Sequence, residues 1–191
     1  MRLEAPVSEH DILMLKAGDL VLVSGVIHTA RDAAHKRLVD AINRGEDLPF
    51  DIEGQIVYYT GPTPARPGEP IGSCGPTSSY RMDPFSEQLM ARGLKVMIGK
   101  GDRSQTFIDA MIRHKGVYLQ AVGGAGALLA KRVVSSTVVC YGDLGAEAVH
   151  RLEVKDFPAI VTYDAHGGNL IKDGIAAFRE DTMKEAGDVH V

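Results

Sequence analysis

The chain has 191 residues, 45% of them hydrophobic and 24% charged, with a formal net charge of -4. That length buries a proper core in one domain, and an acidic balance without a basic cluster gives no footing for nucleic acid, which needs a cationic face. No apolar run reaches the ~20 residues that span a bilayer, and the first residues, MRLEAPVSEHD, lack the apolar stretch of a signal peptide. The expectation is therefore a single cytoplasmic domain over residues 1–191, with neither a membrane nor a nucleic acid as partner. Cys74 and Cys140 stand far apart with no CxxC and no histidine at ligand spacing, so the chain by itself is a poor metal binder.

In chain order, residues 19–27 (DLVLVSGVI) form a β-branched apolar run of strand length. Residues 30–43 then place Ala34, Leu38, Ala41 and Ile42 on one helical stripe, so a strand hands to a helix through His28, Thr29, Ala30, Arg31 and Asp32. A second strand over 54–60 runs into a segment with eight Gly or Pro residues between Gly61 and Gly75, which is neither helix nor ordinary strand but a shaped loop. Residues 83–92 read as a helix with Phe85, Leu89 and Met90 inward. Residues 94–98 read as a strand ending at Gly99, Lys100 and Gly101, and 103–114 as a further helix. A strand over 117–122, a small-residue turn into a short helix over 123–131, and a strand over 136–141 follow. The remainder reads as a helical turn at 146–152, a strand at 159–164, a tight turn at 166–169 and a polar helix or arm from 175 to 191.

Loops rich in Gly and Pro carry function more often than cores do. Around this one stand Arg66, Ser73, Thr77, Ser78, Ser79, Arg81 and Lys100, with backbone N–H groups that glycines leave uncovered, and together they read as a receptor for a small anion. Arg31 reads either as a solvated residue of a helix first turn beside Asp32, or as a guanidinium that a strand-to-helix junction presents to a carboxylate. Arg81 either pairs with Asp83 or points into the cavity of the loop. Lys100 sits between two glycines at a strand end, where Asp102 is placed to hold it or to tune its proton affinity. A phosphate-binding GxxxxGK[ST] is absent, and so is a GxSxG elbow. The run Gly123-Gly124-Ala125-Gly126 does not satisfy GxGxxG and reads as close packing of a helix on a sheet. His28 and His35 read as packing or surface histidines.

These same stretches carry a resemblance. SGVIHTARDAAHKR, GPTPARPG, IGSCGPTSSYRMD and GLKVMIGKG, followed in order by KGVYLQAVGGAGALLAKRV and YGDLGAEAVHRLEVKDFPAIV, resemble the β subunit of class I, iron-sulfur-dependent fumarate hydratase. In single-chain enzymes that region is the carboxy-terminal domain, and it is shared with the β subunit of L(+)-tartrate dehydratase. The likeness spans about residues 18–170, leaving the polar arm at 175–191 outside it. Cys74 stands where the family has a small residue such as alanine, and Tyr80 where glycine is common.

The resemblance implies a fold of the swivelling β/β/α type: one α/β domain with a compact sheet or barrel core flanked by helices. It implies a [4Fe-4S] cluster held by a partner α subunit and not by this chain, in an αβ or α2β2 assembly whose active site lies between subunits. The 61–77 loop would then face the partner. By residue-wise carry-over, Arg31, Arg81 and Lys100 would hold a dicarboxylate, and Thr77 would be the base that removes the C3 proton of malate, with Asp102 beside Lys100. The function so implied is reversible hydration of fumarate to L-malate. The alternatives are dehydration of L(+)-tartrate or a non-catalytic dicarboxylate-binding or assembly module.

Overall fold

The computed structural model describes residues 1–187, with side chains described to residue 179. Its strands are β1 (Arg2–Ala5), β2 (Leu20–Thr29), β3 (Ile56–Tyr58), β4 (Val96–Gly99), β5 (Val117–Gln120), β6 (Val133–Cys140) and β7 (Val149–Tyr163). They lie in the order β1-β2-β3-β4-β5-β7-β6, and β2 pairs also with β7. The extra pairing closes β2, β3, β4, β5 and β7 into a five-stranded barrel, with β1 and β6 appended. From β2 to β5 the neighbours are parallel, whereas β7 runs antiparallel to both β5 and β2. Closure pairs strands that would otherwise present open edges.

The helices are α1 (Glu9–Met14), α2 (Asp32–Asn43), α3 (Asp83–Ala91), α4 (Gln105–Arg113), α5 (Gly126–Ala130) and α6 (Leu170–Gly187). Of the barrel strands β3, β4 and β5 are buried on both faces, whereas β2 and β7 turn alternate residues to the surface over part of their length, and residues divide by alternation, as the period of two requires. Ile56, Tyr58, Val96, Ile98, Val117 and Leu119 join the inner core with Val23, Ile27, Leu152, Phe157 and Val161. Val57, Tyr59, Met97 and Tyr118, the intervening residues, pack outward on Leu38 of α2, Leu89 and Met90 of α3, and Phe107 and Met111 of α4. Ile12 and Leu15 close the inner core at the end where the parallel strands begin, and Ile71, Cys74 and Leu129 close it where they finish.

Most elements expected from the sequence are present with shifted ends. Residues 149–152, expected within a helical turn, are instead the start of the 15-residue β7, because all four pair with β6 and Arg151 and Leu152 pair with β2 as well. The helical character of that stretch is confined to a 3-10 segment over Gly142–Glu147. The strand expected at 159–164 is the last part of β7, and β6 begins earlier than expected, at Val133. Neither β1 nor α1 is anticipated by the sequence reading. β1 is a parallel neighbour of β2, and α1 starts with a reciprocal cap between Ser8 and Asp11. Of the arm expected at 175–191, residues up to 187 continue α6, and 188–191 lie outside the described residues. Among the described residues no helix is long and apolar enough to cross a membrane.

Candidate functional site

Every group singled out for chemistry follows the carboxyl end of a parallel strand. Arg31 follows β2, the 61–77 loop follows β3, and Lys100 follows β4. Because β7 is antiparallel, its amino-terminal end arrives at this same end of the barrel, His28 of β2 lying opposite Arg151. The ends of parallel strands in α/β sheets are where ligands bind, since the loops there converge over a fixed scaffold.

Backbone pairing ties the loop to Lys100. The Thr77 N–H donates to the Tyr59 carbonyl at 2.7 Å, the Lys100 N–H to the Thr77 carbonyl at 3.2 Å, and the Ser79 N–H to the Lys100 carbonyl at 3.0 Å. Ser78 and Lys100 thus form a parallel bridge that extends β4 by one residue. Ser79 is fully buried beneath it. Its Oγ accepts from the Lys100 N–H at 3.1 Å, lies 3.3 Å from the Thr77 carbonyl, and is 2.9 Å from the Tyr118 hydroxyl. Burial raises the Tyr118 phenol above its ordinary range and keeps it protonated. Gly99 makes this arrangement possible: a Cβ there would stand 1.9 Å from Ser79 Oγ and 3.0 Å from the Tyr59 ring.

The remainder of the loop is anchored on the barrel. The Tyr58 hydroxyl donates to the Cys74 carbonyl, Thr60 Oγ1 to the Gly75 carbonyl at 2.8 Å, and the Cys74 N–H to the Gly126 carbonyl at 3.2 Å. A Cβ on Gly126 would meet Ser73 Oγ at 2.5 Å and the Gly75 nitrogen at 2.8 Å. This glycine therefore serves the approach of the loop, and not the packing of a helix on the sheet as expected.

Arg31 is the residue before α2 and contributes no side-chain cap. Its Nη2 lies 3.3 Å from Glu147 Oε1, and the other Glu147 oxygen accepts the Ala33 N–H of the helix first turn at 3.1 Å. Arg81, on a 3-10 turn over Ser79–Met82, lies 2.7 Å from Asp32. Asp83, one of the two alternatives open for Arg81 in the sequence, instead binds the wholly buried Arg103 at 2.6 Å and accepts the Ser104 N–H at 2.8 Å. Lys100 is exposed, with its stem 3.8 Å from the Cβ position of Gly123, and its ammonium has no ion pair among the described residues. Asp102 is exposed and makes no ion pair with Lys100. It lines a groove of about 470 Å³ with Arg103, Tyr163 and residues of α6. Arg66 and Ser73 line a separate hollow with Lys131, beside α5.

The structure thus brings Thr77 and Lys100 together directly, sets Arg31 and Arg81 at the start of α2, and directs Arg66 and Ser73 elsewhere. Sequence reasoning missed Glu147, Tyr118 and Arg103, and read Ser79 as a group presented around the loop, whereas it is buried beneath it. The DLGAE run that contains Glu147 carries no recognisable role by itself, and a lone buried arginine leaves no sequence signal. Both histidines are buried. Burial drives His35 and His28 down to about 4 each, so both are neutral near pH 7. Cys74 and Cys140 have thiols pushed up to about 11 by burial, and no group of three or more His, Cys, Asp or Glu among the described residues is arranged to hold a metal. These residues do not fit an iron-sulfur cluster.

A family model described as Fumarase C-terminus matches residues 1–174. The chain is 39% identical over 176 residues to a Geobacillus stearothermophilus protein provisionally named fumarate hydratase class I, covering 90% of this chain and 33% of that one. It is 40% identical over 152 residues to fumarate hydratase class I, aerobic, of Escherichia coli strain K12, covering 78% and 28%. A Methanocaldococcus jannaschii protein provisionally named L(+)-tartrate dehydratase subunit beta is 36% identical over 172 residues, covering 87% of this chain and 88% of that one. The chain therefore spans a third or less of the length of the two fumarate hydratases and most of the length of the third relative.

Proposed function

We propose, because the chain belongs to the Fumarase C-terminus family, that it is the β component of a class I hydro-lyase that hydrates fumarate to L-malate reversibly. The whole of residues 1–191 acts in this reading as one β domain, in the cytoplasm, active only with an α partner that carries a [4Fe-4S] cluster. The observation that carries the proposal is the convergence of Arg31, Thr77, Arg81 and Lys100 at the carboxyl ends of β2, β3 and β4. A dicarboxylate presents two anionic ends, and three cations over one barrel mouth suit it.

In this reading Arg31, Arg81 and Lys100 hold the two carboxylates. Bidentate or paired cationic contacts fix the substrate so that one C3 hydrogen faces Thr77. The Thr77 hydroxyl is an ordinary alcohol and takes up the C3 proton only after it has itself been ionised to the alkoxide, a form that the charge of Lys100 and the loop N–H groups would stabilise. A cluster held by the partner would, when bound, supply Lewis-acid chemistry. Asp102 stands exposed two residues beyond Lys100, at the edge of this site and on the groove beside α6.

L(+)-tartrate is the second reading, favoured by the relative of matching length. Malate and tartrate differ by one hydroxyl, and the same cations serve both. Anaerobic assembly of this chain with the cluster-bearing partner, followed by turnover of malate, fumarate and L(+)-tartrate, tests the proposal. Selective turnover of malate and fumarate is the expected result. Preference for tartrate moves the substrate but keeps the site. Failure of all three with an intact cluster and a formed complex would leave a dicarboxylate-binding or assembly module.

A further inference from the structure

We infer that Glu147 is a positioning residue for Arg31, and that the acidic turn before β7 sets the guanidinium at the barrel mouth. The inference rests on the reading that Arg31 holds a substrate carboxylate.

The turn is built to deliver Glu147 to one place. Over Gly142–Glu147 the chain follows a left-handed Tyr141 (φ 58°) and kinks at Gly145 (φ 59°, ψ -120°). Just after Glu147 it is clamped to the last residue of β2: Thr29 Oγ1 donates to the Ala148 carbonyl at 3.3 Å and accepts the His150 N–H at 3.0 Å. Thr29 is fully buried, so this clamp is shielded from water.

Glu147 then uses its two oxygens for two jobs. Oε2 accepts the Ala33 N–H, supplying from a remote segment the cap that Arg31, at the N-cap position, does not provide. Oε1 faces Arg31 Nη2 at 3.3 Å. On its other side the guanidinium lies against Gly61, where a Cβ would be 2.9 Å from Nη1 and 3.2 Å from Cδ, while Ala146 O bounds the same space at 3.0 Å. Arg31 Nε is buried with no hydrogen-bond partner among the described residues. A long, flexible side chain is thus fenced by the loop and the acidic turn, with a donor left over. Holding it in one place before substrate arrives removes ordering that binding would otherwise have to supply. Glutamine at position 147 has a single acceptor oxygen and cannot serve both donors, and its amide N–H₂ would oppose the guanidinium.

The test is a double-mutant cycle in the assembled complex: wild type, Arg31→Met, Glu147→Gln and the double variant. Glu147→Gln should raise KM for malate roughly 5- to 10-fold with kcat within about 3-fold. In the Arg31→Met background it should add nothing, because the residue it positions has gone. An unchanged KM, or the same fold-increase in both backgrounds, would overturn the inference and leave Glu147 a plain helix cap. If Glu147→Gln does not assemble, Glu147→Asp, one methylene too short to serve both donors, takes its place in the cycle: a rise in KM confined to the Arg31 background supports the inference, and an unchanged or background-independent KM overturns it. If the wild-type complex turns over none of the candidate substrates, the proposed function fails by itself. The positioning role is then judged from a crystal structure of the variant complex: Arg31 displaced from Gly61 supports it, and Arg31 retained there overturns it.

Discussion

The Lys100 N–H donates to the Thr77 carbonyl at 3.2 Å, so two residues read as separate motifs are joined as neighbours in a short extension of the sheet. The Tyr118 hydroxyl stands behind this pair, 2.9 Å from Ser79 Oγ and 3.0 Å from the Gly101 carbonyl. Tyr118→Phe keeps the ring between Phe107 and Tyr163 and removes the hydroxyl. Loss of one buried hydrogen bond costs about 1 kcal/mol, read by urea denaturation, and turnover should fall several-fold with KM less affected. Unaltered turnover would show that Ser79 holds the segment without the phenol.

Thr77→Val keeps the shape of the side chain and deletes the hydroxyl. Turnover should vanish while binding of malate, followed by calorimetry on the assembled complex, stays within a few fold. A variant that turns over normally would remove Thr77 as base.

Lys100→Met should act on binding, since this ammonium has no carboxylate partner within the described chain and is free to meet a substrate anion. Calorimetric affinity for malate in the same complex should fall by at least about tenfold, the weakening expected when a carboxylate loses its counter-charge. Equal affinity in variant and wild type would take Lys100 out of the site.

The run of strands and helices from residue 19 to 141 was readable because hydrophobic period and Gly/Pro punctuation are local signals. Closure of the barrel was not, since it depends on β7 pairing with β2 and β5, both far from it in sequence. At residues 149–152 local helix propensity lost to pairing with β6 and β2. The cations of the proposed site stand out in the sequence, but the residues they pair with do not. Sequence neighbours suggest Arg31 with Asp32, Arg81 with Asp83 and Lys100 with Asp102. The fold instead pairs Arg31 with Glu147, Arg81 with Asp32 and Asp83 with Arg103, and leaves Lys100 unpaired among the described residues. Residues one or two apart seldom face each other, and partners are chosen by where strand ends converge.

His35 gives a pH signature. Its Nδ1 is 2.9 Å from the Arg31 carbonyl, its Nε2 is buried without a partner among the described residues, and burial lowers it from its ordinary 6.5 to about 4, with the charge of Arg103 acting in the same direction. The unfolded chain takes up this proton near pH 6.5, whereas the folded chain does not until about pH 4. The contribution of His35 is therefore complete above pH 6.5 and is lost as pH falls through that window, by roughly 3 kcal/mol in all. Urea denaturation from pH 7 to 4.5 should show a slope steeper by about one proton in wild type than in His35→Gln. Equal slopes would mean that His35 is charged in the folded protein.

Arg103 links the helices behind the site. Its side chain is fully buried, its Nε donates to Asp83 at 2.6 Å, Nη2 donates to Ser86 Oγ at 3.2 Å, and its guanidinium lies 3.3 Å from the Phe107 ring centre and 4.9 Å from that of Tyr118. Removing one member of a buried pair leaves the other charge stranded, which is worse than never having had the pair. Arg103→Met strands Asp83, whose side chain is 11% exposed, and should cost about 3–5 kcal/mol. Pairing it with Asp83→Asn removes the stranded charge and should restore part of that loss. The Ser104 N–H keeps an acceptor in the asparagine oxygen, and the cap on α4, made by Ser104 Oγ on the Phe107 N–H, is untouched. Denaturation of the two single variants and the double variant separates these contributions. A double variant no more stable than Arg103→Met would place the loss in aromatic packing around the guanidinium and not in the ion pair.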